Sequence, residues 1–129
     1  MQETTEKKRV LIVDDDQIVR LLIAKVVRKY NAESVMACDG REARELLNGS
    51  EPFALIFLDL FVPHVTGWDL LEEIRTKPAG KGAAIVIFTG AVVSKTEKEA
   101  LNGKVSAYVN KETFSLAEFD KLVSGFLNP

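Results

Sequence analysis

The sequence predicts an α/β domain built on a doubly wound, five-stranded parallel sheet. Short, unbroken apolar runs at 10–13, 54–58, 85–88 and 107–109 are typical of strands that are buried on both faces. Stretches with apolar residues at helical spacing separate the strands. A carboxylate, hydroxyl or ammonium group follows each of the four runs closely. Strands that alternate with helices through right-handed crossovers give this fold class, with five helices.

The first half of the chain supplies three strands and two helices. After the first strand, apolar residues at helical spacing predict a helix over about 16–29. A second strand is expected near 34–37. Asp39 is a typical N-cap for the next helix, which Asn48-Gly49 ends. Pro52 marks the turn into the third strand, at 54–58.

The second half supplies two strands and three helices. Pro63 lies in a loop that ends at Gly67, and the helix that follows contains Trp68, Leu71 and Ile74. The segment 77–82 breaks that helix. The remaining elements are a strand at 84–88, a mostly charged helix around 95–102, a strand at 105–109 and an amphipathic helix that Ser115 caps.

Length and composition indicate one domain. The chain has 129 residues, of which 17 are Lys or Arg and 19 are Asp or Glu, for a formal net charge of −2. We expect residues 1–8 to be a flexible leader and residues 9–129 to form the domain. The absence of a long basic stripe disfavours nucleic-acid binding. The single cysteine, Cys38, and the lack of a membrane-spanning or secretion segment favour a soluble cytoplasmic protein with no membrane partner.

Five polar residues at the strand ends are the candidate site. Ligands of such sheets bind beyond the carboxyl ends of the strands, so these side chains are expected to meet there: Asp14, Asp15, Asp59, Thr89 and Lys111. Three clustered carboxylates favour a bound cation, and Mg²⁺ suits them, with Mn²⁺ as an alternative. One carboxylate could then act as the nucleophile toward phosphorus.

Four motifs in register resemble the receiver domains of two-component response regulators. They are Leu11-Ile12-Val13-Asp14-Asp15-Asp16, Leu58-Asp59-Leu60 with Pro63 and Gly67, Thr89-Gly90-Ala91, and Tyr108 three residues before Lys111. Thr89 follows Asp59 by 30 residues and Lys111 follows it by 52, as is usual in this family. The resemblance runs from about Arg9 to Leu127 and implies the flavodoxin-like strand order 2-1-3-4-5.

The resemblance also implies a role for each site residue. Asp59 would be the phosphoacceptor, and Asp14, Asp15 and the backbone carbonyl of Phe61 would join it in binding the metal. Thr89 and Lys111 would sense the phosphoryl group, and Tyr108 would be the aromatic switch. Such a domain is no enzyme beyond catalysing its own phosphorylation and dephosphorylation.

The partners follow from the same resemblance. A sensor histidine kinase or a histidine phosphotransfer protein would donate the phosphoryl group. The surface around the fourth helix, fifth strand and fifth helix would then control binding of a downstream protein, and a phosphorylation-linked homodimer is a further expectation.

The sequence departs from the family pattern at several positions. Glu112 follows Lys111 where proline, often in a cis peptide, is usual, and Lys104 stands where glycine is common. Phe61 and Ala91 are apolar at positions that influence how fast the phosphoryl group is lost in this family. Because neither side chain can position an attacking water, we expect the phosphoryl group on Asp59 to be long-lived. The double substitution Phe61→Asn with Ala91→Glu should shorten its lifetime.

Other interpretations of the same residues stay open. The aspartates at 14–16 could be an acidic helix cap, Asp59 a strand-terminating residue and Tyr108 an ordinary sheet aromatic. A degenerate receiver would bind partners without phosphorylation. A Mg²⁺-dependent phosphohydrolase of the haloacid dehalogenase kind would use Asp14 as its nucleophile. The only histidine, His64, is expected at the surface, and Trp68 is expected to pack near the active loop.

Overall fold

The computed structural model describes residues 7–90 and 93–128. Within them the chain alternates strands and helices. The elements are β1 (Arg9–Val13), α1 (Gln17–Arg28), β2 (Glu33–Ala37), α2 (Gly40–Leu47), β3 (Leu55–Leu58), α3 (Gly67–Ile74), β4 (Ala84–Thr89), α4 (Lys95–Leu101), β5 (Ala107–Asn110) and α5 (Leu116–Leu127). The predicted leader lies largely outside the described residues, as does Ala91. Across the described ranges, no helix is both long enough and apolar enough to cross a membrane.

The five strands form one parallel sheet in the order β2-β1-β3-β4-β5, which confirms the predicted topology. The register pairs Val13 with Leu58 and Leu58 with Ile87. The carboxyl ends of β1, β3 and β4 therefore lie side by side. This alignment brings the residues that follow these strands to one edge of the sheet.

Alternate side chains of the strands pack into two cores, one on each face of the sheet. One core contains Leu11, Ile56 and Ile87 and lies against α2, α3 and α4. The other contains Val10, Phe57 and Phe88, and α1 and α5 cover it. Burial of both faces explains why these strands are continuous apolar runs in the sequence.

Short polar side chains fix where the helices begin. Asp16, Asp39 and Ser115 accept hydrogen bonds from backbone amides in the first turns of α1, α2 and α5, which confirms the caps predicted for α2 and α5. Ser94 and Glu97 form a capping box at α4. Leu101 is the only residue of α4 that is fully buried, in agreement with its charged sequence.

The fifth strand begins two residues later than the sequence predicts. The amide of Val105 donates to Leu101 O at 3.3 Å, so Val105 belongs to the turn that ends α4. Ser106 N then donates to Ile85 O at 2.7 Å and leads the chain into the sheet. At its other end β5 extends to Asn110, which pairs with Thr89.

Gly67 allows the loop after β3 to fold back on the strand end. A Cβ atom at this position would lie 2.3 Å from Asp59 O and 2.5 Å from Leu60 Cα, both of them backbone atoms. Gly67 N also donates to Leu60 O at 3.0 Å. Only a residue without a side chain fits this approach, so Gly67 fixes the path of the chain beside Asp59.

Candidate functional site

Asp14 is held at the end of β1 by hydrogen bonds to its backbone and its side chain. Its amide donates to Ala37 O at 3.1 Å, which continues the β1–β2 pairing by one residue. Its Oδ1 accepts from Asp16 N at 2.9 Å. The side chain is 2% exposed, whereas the neighbouring Asp15 is exposed. The β1 end therefore offers one buried and one accessible carboxylate.

Asp59 occupies the equivalent position at the end of β3. Its amide donates to Val13 O at 3.0 Å, which ties it to β1. Asp59 Oδ1 accepts two hydrogen bonds, from Phe61 N at 3.1 Å and from the Thr89 hydroxyl at 3.0 Å. The residue is 6% exposed. Asp59 is thus fixed by its neighbours and open to solvent only over a small area.

Lys111 connects the two buried acids. Its Nζ lies 2.6 Å from Asp14 Oδ2 and 2.8 Å from Asp59 Oδ2. Its amide donates to Thr89 O at 3.0 Å, so the residue directly after β5 is still tied to β4. Burial opposes the charged form of Lys111, but the hydrogen bonds to the two carboxylates outweigh it and raise the pKa of the ammonium.

Burial acts in the opposite direction on Asp14, because it lowers the pKa of a lysine but raises the pKa of a carboxyl. It raises the pKa of this carboxyl, and the nearby charge of Asp59 adds to the increase. Hydrogen bonds from Lys111 and from the Asp16 amide counter the increase without cancelling it. Burial therefore disfavours the ionised form of Asp14 even with Lys111 beside it.

The three carboxylates predicted to bind a metal do come together. One oxygen from each of Asp14, Asp15 and Asp59 lies within 4.8 Å of the others. Octahedral Mg²⁺ holds its ligands at about 2.0–2.1 Å, so opposite ligands are about 4 Å apart. Adjacent ligands are only about 2.9 Å apart, so the three oxygens would draw closer together around the ion. The all-oxygen donor set fits Mg²⁺ or Mn²⁺.

Tyr108 lies on β5, away from the acids. Its half-buried ring packs against the core beneath α4, and Lys98 Nζ lies 5.6 Å from the ring centroid. Burial, together with the charge of Glu97, raises the pKa of its hydroxyl. The ring borders a cavity of about 470 Å³ between α4 and β5, whose other lining residues include Lys95, Leu101 and Val105.

Two residues beside this site, Arg20 and Asn110, are not among those predicted from the sequence. Arg20 Nη1 donates to the backbone carbonyl of Asp14 at 2.7 Å and so braces the turn that carries the acids. Asn110 accepts a hydrogen bond from Glu112 N at 2.7 Å, next to Lys111. No local sequence pattern signals the Arg20 contact, because it depends on how α1 lies over the end of β1.

His64 and Trp68 lie where the sequence predicts. His64 is exposed, adopts a φ of 71° and has its Nε2 3.1 Å from Arg41 Nη2. Trp68 is partly buried and packs against the core on the α2–α3 side.

Comparison with known proteins agrees with this architecture. A family model described as the response regulator receiver domain matches residues 10–123. The two-component response regulator ORR42 of Oryza sativa subsp. japonica is 31% identical over 91 residues, which are 70% of this chain and 66% of the relative. Across a series of curated relatives, the aligned region spans 11–66% of the relative's length.

Solved structures show the same fold. The chemotaxis protein CheY4 of Vibrio cholerae superposes with a TM-score of 0.79 at 24% identity, over 95% of this chain and all of the other. The receiver domain of sensor histidine kinase PA1611 from Pseudomonas aeruginosa, which has a magnesium ion coordinated in its active site cleft, gives 0.78 at 19% identity, over 96% and 100%. With the family match, the strand order and the strand-end constellation together, this chain belongs to the response regulator receiver domains of two-component signalling.

Proposed function

We propose that this domain is a phosphorylation switch in which Asp59 accepts a phosphoryl group with Mg²⁺ as cofactor. The observation that carries the proposal is the contact of Lys111 and Thr89 with the two oxygens of Asp59, at 2.8 Å and 3.0 Å. An ammonium and a hydroxyl placed on a carboxylate are the donors that a phosphoryl group would need there.

Three acids would share the metal. Asp14, Asp15 and Asp59 would be its carboxylate ligands, and the Phe61 carbonyl, in the loop after Asp59, would complete the protein's share. When bound, the metal would offset negative charge on the transferring phosphoryl group. The related receiver domain with magnesium in its cleft supports this assignment.

The donor would be a phosphohistidine on a histidine kinase or phosphotransfer protein. An Asp59 oxygen would form a bond to phosphorus while the P–N bond to the donor's imidazole breaks and that nitrogen keeps the electron pair. Lys111 would then move from the carboxylates to a phosphoryl oxygen, and the Thr89 hydroxyl would donate to another. Both residues have short paths to the new group because they already contact Asp59.

The output would be a change at α4, β5 and α5. A phosphoryl group adds about −1.5 to −2 charges that draw the Thr89 hydroxyl toward it. Tyr108 lies on β5, the strand next to the one that ends at Thr89. It would then change its rotamer beside the cavity between α4 and β5. The inactive and active forms of this surface would interconvert before phosphorylation. To move the population almost completely to the active form, phosphorylation must stabilise that form by about 5.5 kcal/mol relative to the inactive one. A downstream protein or a second copy of the domain would read the altered surface.

Titration with beryllofluoride, a phosphoryl mimic, and Mg²⁺ tests the proposal, with Trp68 fluorescence as the readout. We expect a saturable response in the wild type and none in Asp59→Ala. Glu45→Gln, which removes an exposed charge on α2, is the control and should respond like the wild type. No response in the wild type would overturn the proposal and favour a domain that binds partners without phosphorylation.

A second assay addresses the phosphohydrolase alternative. Steady turnover of a phosphate ester that is lost in Asp14→Asn and kept in Asp59→Asn would favour that enzyme. We expect no such turnover, because Lys111 and Thr89 both contact Asp59, at 2.8 Å and 3.0 Å, and would place a phosphoryl group on that carboxylate. Transfer of a single phosphoryl group from acetyl phosphate, absent in Asp59→Asn, should be visible in the intact mass.

A further inference from the structure

The chain forms an unusual turn around Lys111. Asn110 Oδ1 accepts a hydrogen bond from Glu112 N at 2.7 Å, which closes an Asx turn with Lys111 at its centre. The backbone carbonyl of Asn110 also accepts from Thr113 N at 3.3 Å and from Phe114 N at 3.1 Å. A proline in place of Glu112, as in the usual family pattern, would have no amide hydrogen for the first of these bonds.

The turn is anchored to the site on its other side. Asn110 pairs with Thr89 in the sheet, and Lys111 N donates to Thr89 O at 3.0 Å. The side chains of Lys111 and Glu112 both lie beside Gly90, since a Cβ there would be 3.8 Å from Lys111 Cδ and 3.4 Å from Glu112 Oε1. The backbone at Lys111 is therefore held by β4 on one side and by the Asx turn on the other.

A lysine side chain needs such support more than most. It has four rotatable bonds and loses about 2 kcal/mol of rotamer entropy when it is fixed. Its ammonium nevertheless contacts two carboxylates, at 2.6 Å and 2.8 Å. Fixing the direction in which the Lys111 side chain leaves the backbone limits the positions that its ammonium can reach.

We propose that Asn110 is a positioning residue for Lys111: its bond to the Glu112 amide fixes the backbone at Lys111, directly before the position where the usual family pattern has a proline. The inference rests on the proposed function, because it concerns how Lys111 meets a phosphoryl group. The role of Asn110 is indirect, because its side chain accepts from the Glu112 amide and would act on the phosphoryl group only through Lys111.

Loss of this bond should weaken the binding of beryllofluoride but not the binding of Mg²⁺. Asn110→Ala should weaken beryllofluoride binding about fivefold, the change that corresponds to one hydrogen bond of about 1 kcal/mol. Mg²⁺ alone should bind as tightly as before or more tightly, because an ammonium that strays from Asp14 and Asp59 competes less with the metal. A general loosening of the pocket would instead weaken both.

The experiment compares apparent affinities for Mg²⁺ alone and for beryllofluoride at saturating Mg²⁺. Asn110→Asp keeps the acceptor oxygen and should restore wild-type affinity for beryllofluoride. Ser115→Ala is the matched control. It also removes a hydrogen bond from a backbone amide to a side chain, Glu118 N to Ser115 Oγ at 3.1 Å. This bond lies between β5 and α5, like that of Asn110, but does not involve Lys111. We expect it to lower stability and leave both affinities unchanged.

A double-mutant cycle with Glu112→Pro identifies the bond itself. Once the amide hydrogen is gone, Asn110→Ala should have no further effect on beryllofluoride affinity. Unchanged beryllofluoride affinity in Asn110→Ala, or parallel weakening of both ligands, would overturn the inference while the wild-type response still upheld the proposed function. Failure of the wild type to respond would instead overturn the proposed function.

Discussion

The Lys111 ammonium and the Asp14 carboxylate form a 2.6 Å ion pair between residues that follow two different strands. The same ammonium contacts Asp59 at 2.8 Å, so it shares two of the three carboxylates that suit a metal ion. A bound Mg²⁺ would therefore compete with Lys111 for the same carboxylates before phosphorylation. A phosphoryl group would offer further oxygens, so that Lys111 and Mg²⁺ would bind it together instead of competing.

Removing the ammonium should strengthen metal binding. We expect Lys111→Met to bind Mg²⁺ about tenfold more tightly, a gain of about 1.4 kcal/mol, and to lose most of its affinity for beryllofluoride. Trp68 fluorescence measures both affinities. Lys104→Met is the control, since Lys104 pairs with Glu72 at 2.8 Å and leaves the acids untouched. Weaker Mg²⁺ binding in Lys111→Met would contradict the competition.

Neutralising Asp14 should stabilise the metal-free protein. Burial raises the pKa of this carboxyl above its ordinary value of 3.8, so the folded protein holds the proton more tightly than the unfolded chain does. The stabilising contribution of Asp14 is thus fully present below pH 3.8 and is lost as the pH rises through the raised pKa. At pH 7 we expect Asp14→Asn to increase the free energy of unfolding by about 1 kcal/mol.

Urea unfolding in the presence of a chelator, repeated between about pH 3 and pH 7, checks this prediction. The gain in Asp14→Asn should shrink as the pH falls below the raised pKa. Glu45→Gln removes an exposed charge instead and should change the free energy of unfolding by less than about 0.5 kcal/mol at each pH. A loss of stability in Asp14→Asn at pH 7 would show that its bond to Lys111 outweighs the cost of its burial.

Phe61 should prolong the life of the phosphoryl group. Its side chain is 54% exposed and follows Asp59 by two residues, where a polar group could orient an attacking water. We expect Phe61→Asn to speed loss of phosphate about tenfold, or about 1.4 kcal/mol in the barrier. Phe61→Leu keeps an apolar side chain and should decay like the wild type. Equal decay rates in all three proteins, followed by intact mass after removal of acetyl phosphate, would refute the role.

Gly67 should be intolerant of even one methyl group. Its Cβ would meet backbone atoms of Asp59 and Leu60 at 2.3 Å and 2.5 Å, so we expect Gly67→Ala to cost about 2 kcal/mol or more and to weaken beryllofluoride binding. Gly125→Ala is the control, because a Cβ on this exposed residue of α5 would have no neighbour within 4 Å. That variant should gain about 0.5–1 kcal/mol from helix propensity, as thermal unfolding can measure.

The strands and the site residues could be predicted because local sequence specifies them. A run such as 54–58 has no polar residue that could face water, so it must be buried on both faces. The residue that follows it must then lie at the ligand-binding edge of the sheet. The same reasoning applies to Asp14 after β1, so the two acids are predicted to lie close together, and the structure confirms that Lys111 contacts both.

The bonds that brace these residues could not be predicted in the same way. The contact of Arg20 with Asp14 O depends on the position of α1 over the end of β1, which no local pattern encodes. The predicted start of β5 is two residues too early because Val105 N donates to Leu101 O instead of joining the sheet. That bond depends on where α4 ends. Contacts between distant segments depend on packing, so they emerge only from the assembled fold.

The buried strand ends beneath the pocket limit how the molecule can respond to a new charge. Leu58 and Ile87 are fully buried, and Val13 and Phe88 are each 2% exposed. A close-packed base of this kind resists compression, so groups above it cannot sink when a bulky anion arrives. The displacement caused by the proposed phosphorylation of Asp59 would instead spread sideways into the surrounding loops, where a partner protein would meet it at the exterior of the domain.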